Sequence, residues 1–148
     1  MELPAREAAL CILRRGDRFL VAEVTDARLG ATLHRPPGGG VEAGETPEQA
    51  VRREIAEELG IRLGAIEPLG SIDHQWCCDG REVNERAWIF LADSSIDAAL
   101  SRGDCPTLFE ADGQRLSTYW RSLDDDEGAP ALCPAKLAEV LGQVFAKT

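Results

Sequence analysis

The sequence predicts an α/β (α+β) fold in which a β-sheet is sandwiched between α-helices. Three observations carry this reading. The chain has 148 residues, the size of one domain, and a domain of roughly 150 residues buries about 70% of the surface its unfolded chain exposes. Strand-like runs occur before, between and around two helical segments. Each of those helices carries an apolar stripe, and covering a sheet with such helices is the simplest packing. One domain spanning residues 1–148 is expected.

The elements follow in order. Residues 8–14 are a short apolar-rich strand ending in charge, Gly16-Asp17 marks a turn, and residues 18–24 read as a second strand. Residues 26–32 are polar and read as a loop. Residues 33–40 (LHRPPGGG) cannot be helical, because two prolines bias their predecessors to extended backbone and three glycines follow. A helix is predicted over 47–59: Thr46 suits the N-cap, Pro47 the first helical position, Gln49 closes a capping box, and Gly60 is the natural stop. Residues 61–76 read as extended with interruptions, residues 78–81 as a hairpin turn, and residues 86–92 (RAWIFLA) as the most strand-like segment. Residues 97–112 read as a loop with one helical turn, 117–120 as a short strand and 124–127 as an acidic connection. Over residues 134–146, Leu137, Val140, Leu141, Val144 and Phe145 define an amphipathic helix.

Composition excludes several classes. Acids number 26 and bases 16, for a net charge of −10. A body this acidic repels polyphosphate at long range, which argues against a nucleic-acid partner. The five cysteines are scattered without a C-x-x-C pair, and with two histidines a zinc site is not expected. This usage fits a reduced, cytoplasmic protein. There is no signal-peptide pattern and no apolar run near the ~20 residues of a membrane span, so no membrane partner is expected. The charge is uneven. Residues 39–61 hold six acids against two bases, a net −4 in 23 residues.

The predicted helix concentrates that charge. At 100° per residue, Val51, Ile55 and Leu59 fall within an arc of about 80° and form the core stripe. Glu54, Glu57 and Glu58 fall within about 100° beside it. Like charges at this spacing cost a few tenths of a kcal/mol per pair, and the helix C-terminal half also disfavours anions. Local stability does not explain the triplet. A hard divalent cation such as Mg²⁺ or Mn²⁺ does, whereas taken alone the triplet also reads as a solvated acidic helix face.

The wider stretch supplies context. Gly39, Glu45, Arg53, Glu54, Ile55, Glu57, Glu58, Gly60 and Ile61 stand at nine fixed positions of a pattern that resembles the signature of the Nudix (MutT-like) hydrolase family. The resemblance implies a mixed sheet between helices with the box as loop–helix–loop. It implies a divalent-metal-dependent pyrophosphohydrolase that cleaves a nucleoside diphosphate linked to another moiety, NDP–X, into a nucleoside monophosphate and phosphate–X. Glu54, Glu57 and Glu58 would hold Mg²⁺ or Mn²⁺, with Glu57 and Glu58 as direct ligands and the Gly38 carbonyl completing the shell. Glu54 is both a ligand candidate and a candidate for orienting or deprotonating the attacking water. Arg53 and Glu45 are expected to pair and to orient the ligands.

Outside the box, Glu85 is the first candidate for a further acidic group at the site and Glu82 the second, on opposite faces if both lie in strand. Arg35 precedes the glycines and could reach a phosphate, as could Arg14, Arg18 and Arg86. Trp76 is the best candidate for stacking on a base. Trp88 and Phe90 share a strand face and read as core, and His34 and His74 as packing or hydrogen-bonding residues. The Cys77-Cys78 pair reads as incidental. Relatives are often dimers, so a second copy of the chain is a candidate partner beside the small-molecule substrate. The alternative readings are a catalytically silent nucleotide-binding or regulatory module on the same fold and, more remotely, an isoprenyl diphosphate isomerase using Cys77 or Cys78.

Overall fold

In the computed structural model, residues 6–26, 29–78, 81–124 and 128–146 are described. Among them, the run at the start of the chain becomes β1 (Arg6–Arg15), and every residue from Ala8 to Leu13 is buried. An uninterrupted apolar strand is stable only when both faces of its sheet are covered, and here they are. Ala9, Cys11 and Leu13 face one cluster with Ala50, Val51 and Ile55 of α1 (Pro47–Leu59). Leu10 and Ile12 face a second with Leu137 and Leu141 of α3 (Leu137–Ala146). The period of two along β1 thus sorts its side chains between the two helices.

The remaining strands are β2 (Arg18–Asp26), β3 (Ala31–Arg35), β4 (Gly38–Gly40), β5 (Glu67–Cys78), β6 (Arg81–Asp93), β7 (Leu108–Phe109), β8 (Arg115–Leu116), β9 (Thr118–Arg121) and β10 (Ala131–Leu132). A 3₁₀ turn (Ser94–Ile96) and α2 (Ala98–Ser101) follow β6. The main sheet runs β10-β3-β2-β1-β6-β5, with β4 against β1 and β9 against β2. It is mixed: β1 pairs β6, and β10 pairs β3, in parallel, and the other pairs are antiparallel. β7 and β8 form a separate small hairpin.

One irregularity positions the site. β1 pairs β2 only at Arg14 and Arg15, beside their hairpin. Farther back, at Ala8–Leu10, its partner is β4. A cavity of ≈ 470 Å³ opens where β2 has parted from β1, lined by Ala22–Thr25 of β2, by Arg35 and by the glycine strand. Several predicted boundaries move. β6 begins five residues before the apolar run because β5 pairs with its polar N-terminal half. α3 begins at Leu137, after a turn in which the Leu137 amide donates to the Pro134 carbonyl at 3.0 Å. The predicted loop 97–112 has its expected helical turn in α2 and, in addition, the short strand β7. Asp79, Gly80 and residues 125–127, on which the expected hairpin turn and acidic connection fall, lie outside the described residues, as does the Cys78 side chain.

Candidate active site

α1 presents the carboxylates, and its ends are set by the sequence. The Thr46 hydroxyl accepts from the Gln49 amide at 3.1 Å, and the Gln49 side chain accepts from the Thr46 amide at 2.9 Å. Gly60 ends the helix in the left-handed conformation, its amide donating to the Ala56 carbonyl. Between these caps, Ala50, Val51 and Ile55 turn into the core and the glutamates flank them.

Arg53 organises that flank. Its Nε and Nη2 donate to the two carboxylate oxygens of Glu45 at 2.7 and 2.9 Å. Nη2 also donates to the Gly40 carbonyl at 3.0 Å, and Nη1 to Glu54 at 2.9 Å and Glu57 at 3.3 Å. A guanidinium has five N–H groups, and these contacts use its whole fork to tie the loop before α1 to two of the three glutamates. The Glu45 carboxyl is lowered to about 2 by the Arg53 hydrogen bonds and by the backbone bond at Glu42.

The glycines permit close approach. Gly38 has φ +147°, and a Cβ there would stand 2.0 Å from the Ala9 carbonyl oxygen. A Cβ on Gly39 would lie 2.5–2.8 Å from the carboxylate atoms of Glu54. Only glycine therefore lets the α1 carboxylate rest against the loop backbone. Glu58 lies under the same loop, 5% exposed, accepting from the Gly38 amide at 3.1 Å. Its carboxyl is pushed up to about 9, first by burial and then by the charges of Glu54 and Glu110.

The three box glutamates thus have different surroundings. Glu54 and Glu58 line the cavity; Glu57 does not and is half-exposed beside Arg53. Among the described residues, no three Asp, Glu, His or Cys side chains already form a ligand cluster. The donor set nonetheless suits a hard divalent cation. It consists of oxygens, it is partly desolvated, and the mutual repulsion that raises Glu58 is what a bound cation would relieve. The structure brings Gly38 to this site through its amide.

Of the residues predicted outside the box, Arg35 and Trp76 line the cavity and the others do not. Glu85 is buried and does not line the cavity. Register explains its company: on β6 it stands opposite Arg6 of β1 on one side and His74 of β5 on the other. Its carboxylate accepts from Arg35 Nη2 at 2.8 Å, meets His74 Nε2 at 2.8 Å and lies 3.3 Å from Arg6 Nε. These partners outweigh its burial and hold its pKa down at about 2. In this structure the Glu85 carboxylate thus pairs with Arg35 and Arg6, set back from the cavity lining. Glu82 is exposed.

Arg35 lines the cavity but is buried, held by Glu85 and laid over the Trp76 ring at 4.4 Å. Trp76 also lines the cavity, yet that ring face carries a guanidinium rather than space for a base. Arg14 lies over Phe145 on the α3 side, and Arg86 pairs with Asp73, so neither lines the cavity. His34 and His74 do hydrogen bond, to Arg121 and Glu85. Phe90 and Trp88 pack in the α1-side core as expected. Cys77 is buried and free.

Among the cavity residues that sequence reasoning missed are Glu110 and Arg6. Glu110, on the turn of the β7–β8 hairpin, faces Glu58 closely enough to raise its pKa. Arg6 enters from the first residue of β1. No periodicity marks either position, and only the strand pairings bring them to the site.

Comparison with known proteins gives the family of the chain. Residues 4–140 match the model of the NUDIX domain. A MutT NUDIX hydrolase from Burkholderia pseudomallei shares the fold with a TM-score of 0.66 and 30% identity, over 97% of this chain and 99% of that one. The chain is similar to the NAD-capped RNA hydrolase NudC of Escherichia coli O1:K1 / APEC, 32% identical over 122 residues, which are 80% of this chain and 41% of that protein. It is also similar to the RNA pyrophosphohydrolase of Photobacterium profundum, 32% identical over 107 residues, which are 63% of this chain and 60% of that protein. The chain therefore spans about half the length of these curated relatives. It belongs to the Nudix hydrolase family. Among the described residues, no helix is long and apolar enough to cross a membrane.

Proposed function

We propose that the protein hydrolyses the diphosphate of a nucleoside diphosphate derivative, NDP–X, by attack of water on phosphorus, giving a nucleoside monophosphate and phosphate–X. The observation that carries this reading is the convergence of Glu54 and Glu58 with the Gly38–Gly40 backbone on one cavity, while Arg53 ties the loop to the helix.

Glu54 and Glu58 would hold Mg²⁺ or Mn²⁺, with Glu57 joining from the rim and the Gly38 carbonyl from the loop. A cation bound there neutralises the diphosphate and lowers the pKa of a bound water. The chain's own residues do the rest. Arg53 keeps Glu54 oriented through the 2.9 Å bond, and Glu45 fixes Arg53 in turn. Glu54, against Gly39 with no side chain between, would orient the attacking water or accept its proton. β2 and the β7–β8 hairpin wall the cavity in which the diphosphate would lie. The substrate is a small molecule that fits this cavity, and the protein works in the cytoplasm.

The test is a substrate panel with products identified: nucleoside triphosphates, nucleotide sugars, dinucleotides including NAD, and a 5′-NAD-capped RNA, each with Mg²⁺ or Mn²⁺. Turnover of a free nucleotide to its monophosphate supports the proposal. No turnover of any diphosphate by folded protein contradicts it, and turnover of the capped RNA alone contradicts the small-molecule assignment.

A further inference from the structure

Charge around the cavity is unevenly matched. Among the described residues that line it, five carry carboxylates and two carry guanidiniums. Glu54 and Glu58, from α1, are the pair that a bound cation would neutralise. Three carboxylates remain: Glu23 on β2, and Glu110 and Asp112 on the turn of the β7–β8 hairpin.

The two guanidiniums do not offset them. Arg35 Nη2 donates to Glu85 Oε1 at 2.8 Å, and Arg6 lies 3.3 Å from Glu85 Oε2. Both stand against the same buried carboxylate, which takes up part of their charge behind the cavity lining. Arg35 also meets the Cys133 sulfur at 3.7 Å and covers the Trp76 ring. Among the described residues, neither Glu23 nor Asp112 forms an ion pair with these arginines. The rest of the lining is uncharged. Val24, Trp76 and Leu116 supply apolar surface, and Thr25 and Gln114 supply neutral hydrogen-bonding side chains.

Such a lining discriminates by the charge of X. Near neutral pH a terminal phosphate carries about −1.5 to −2, whereas one closed by an ester at its far side carries about −1. A nucleoside triphosphate therefore brings about two more negative charges than a diphosphate closed at both ends. Resting on the diphosphate reading above, we propose that the cavity selects substrates whose diphosphate is esterified at both ends, with X an uncharged or cationic alcohol such as a sugar, and disfavours nucleoside triphosphates. Glu23 and Asp112 are the selecting residues. They repel a terminal phosphate and accept hydrogen bonds from hydroxyl groups of X. Hydrolysis of such a substrate puts the oxygen of water on one phosphorus and breaks the phosphoanhydride bond. The products are a nucleoside monophosphate and the phosphate monoester of X, with no pyrophosphate released.

The experiment compares kcat/KM within pairs that share a nucleoside and differ in X: ATP with ADP-glucose, GTP with GDP-mannose, UTP with UDP-glucose and CTP with CDP-choline. Each is assayed with saturating Mg²⁺ at low ionic strength. In the pair turned over fastest, the doubly esterified member should lead by about tenfold or more. Added salt screens the repulsion and should narrow that gap. The double variant Glu23→Gln, Asp112→Asn keeps both shapes and the acceptor for the Gln114 amide, and should narrow the gap at low salt by about threefold or more. A triphosphate hydrolysed as well as its partner overturns the proposal, and so does a gap that the double variant leaves unchanged. If the double variant does not fold, a gap in wild type that salt leaves unchanged overturns it. Wild-type protein that hydrolyses none of these compounds contradicts the hydrolase reading, and calorimetry of the same pairs with Ca²⁺ then decides the proposal. Tighter binding of the doubly esterified member supports it, and equal, weaker or no binding overturns it.

Discussion

Glu58 and Glu85 are buried alike, 5% and 1% exposed, and stand in opposite electrostatic settings. Glu58 faces Glu54 and Glu110 and has its pKa pushed up to about 9. Glu85 faces Arg35, His74 and Arg6 and has its pKa held at about 2. Burial disfavours both charges. The neighbours decide whether that penalty is offset within the protein or left for a ligand to offset. A carboxylate already neutralised by its own chain stabilises structure. One whose neighbours repel it is suited to receive a cation. On the proposed reading, the two glutamates separate a part of the molecule that holds the fold from one that does chemistry.

Glu58→Gln should break the reactive side of this comparison. Hydrolysis should fall by roughly 10²–10³-fold, the range for losing a group that works directly on the reacting atoms. The fold should persist, because with a pKa of about 9 the metal-free carboxyl is already neutral near neutral pH, and Gln keeps an acceptor for the Gly38 amide. Mg²⁺ should raise the melting temperature of wild-type protein, by linkage to the folded state, and raise that of Glu58→Gln less. Steady-state kinetics and thermal melts with and without metal check both outcomes.

Glu85→Ala should break the structural side. It leaves the Arg35 guanidinium buried without its carboxylate, and disrupting a buried pair costs about 3–5 kcal/mol. Denaturant unfolding measures this, with Glu82→Ala, an exposed neighbour, as the control that should change little. A third outcome sharpens the contrast by pH. The Glu85 pKa is lower folded than unfolded, so its stabilisation is present above the ordinary carboxylate pKa of 4.5 and is lost as pH falls from there through about 2. The wild-type stability curve should drop across that window, and the drop should be shallower in Glu85→Gln. The smallest effect is expected at the helix start, where Thr46→Ala removes one cap bond and costs about 1 kcal/mol, with kcat nearly unchanged.

Legibility in the sequence followed the range of the interactions. α1 was readable to the residue because its signals are local: Thr46 and Gln49 bond each other three positions apart, and Gly60 supplies its own backbone conformation. The two-sided burial of β1 was implicit in its unbroken apolar run. The Arg53–Glu45 pair came with the family resemblance and is present at 2.7 and 2.9 Å. Glu85 was legible as an acid near the box, but its ion-pair partners were not. Its partners sit on β1, β3 and β5, up to 79 residues away in the chain for Arg6, and only the register of β1·β6·β5 aligns them. Glu110 and Arg6 were missed for the same reason: their position depends on the parting of β2 from β1 and on a two-stranded hairpin that shows no pattern in its residues.

The central claim is that the Glu54–Glu58 side of the cavity directs water onto the phosphorus of a diphosphate. Its most direct test is hydrolysis of the best panel substrate in ¹⁸O-labelled water, with the products weighed by mass spectrometry for wild type and Glu58→Gln side by side. One labelled oxygen is expected on a phosphate product with wild type and Mg²⁺, and almost no labelled product in the same time with Glu58→Gln. Equal labelled product from both proteins would contradict it.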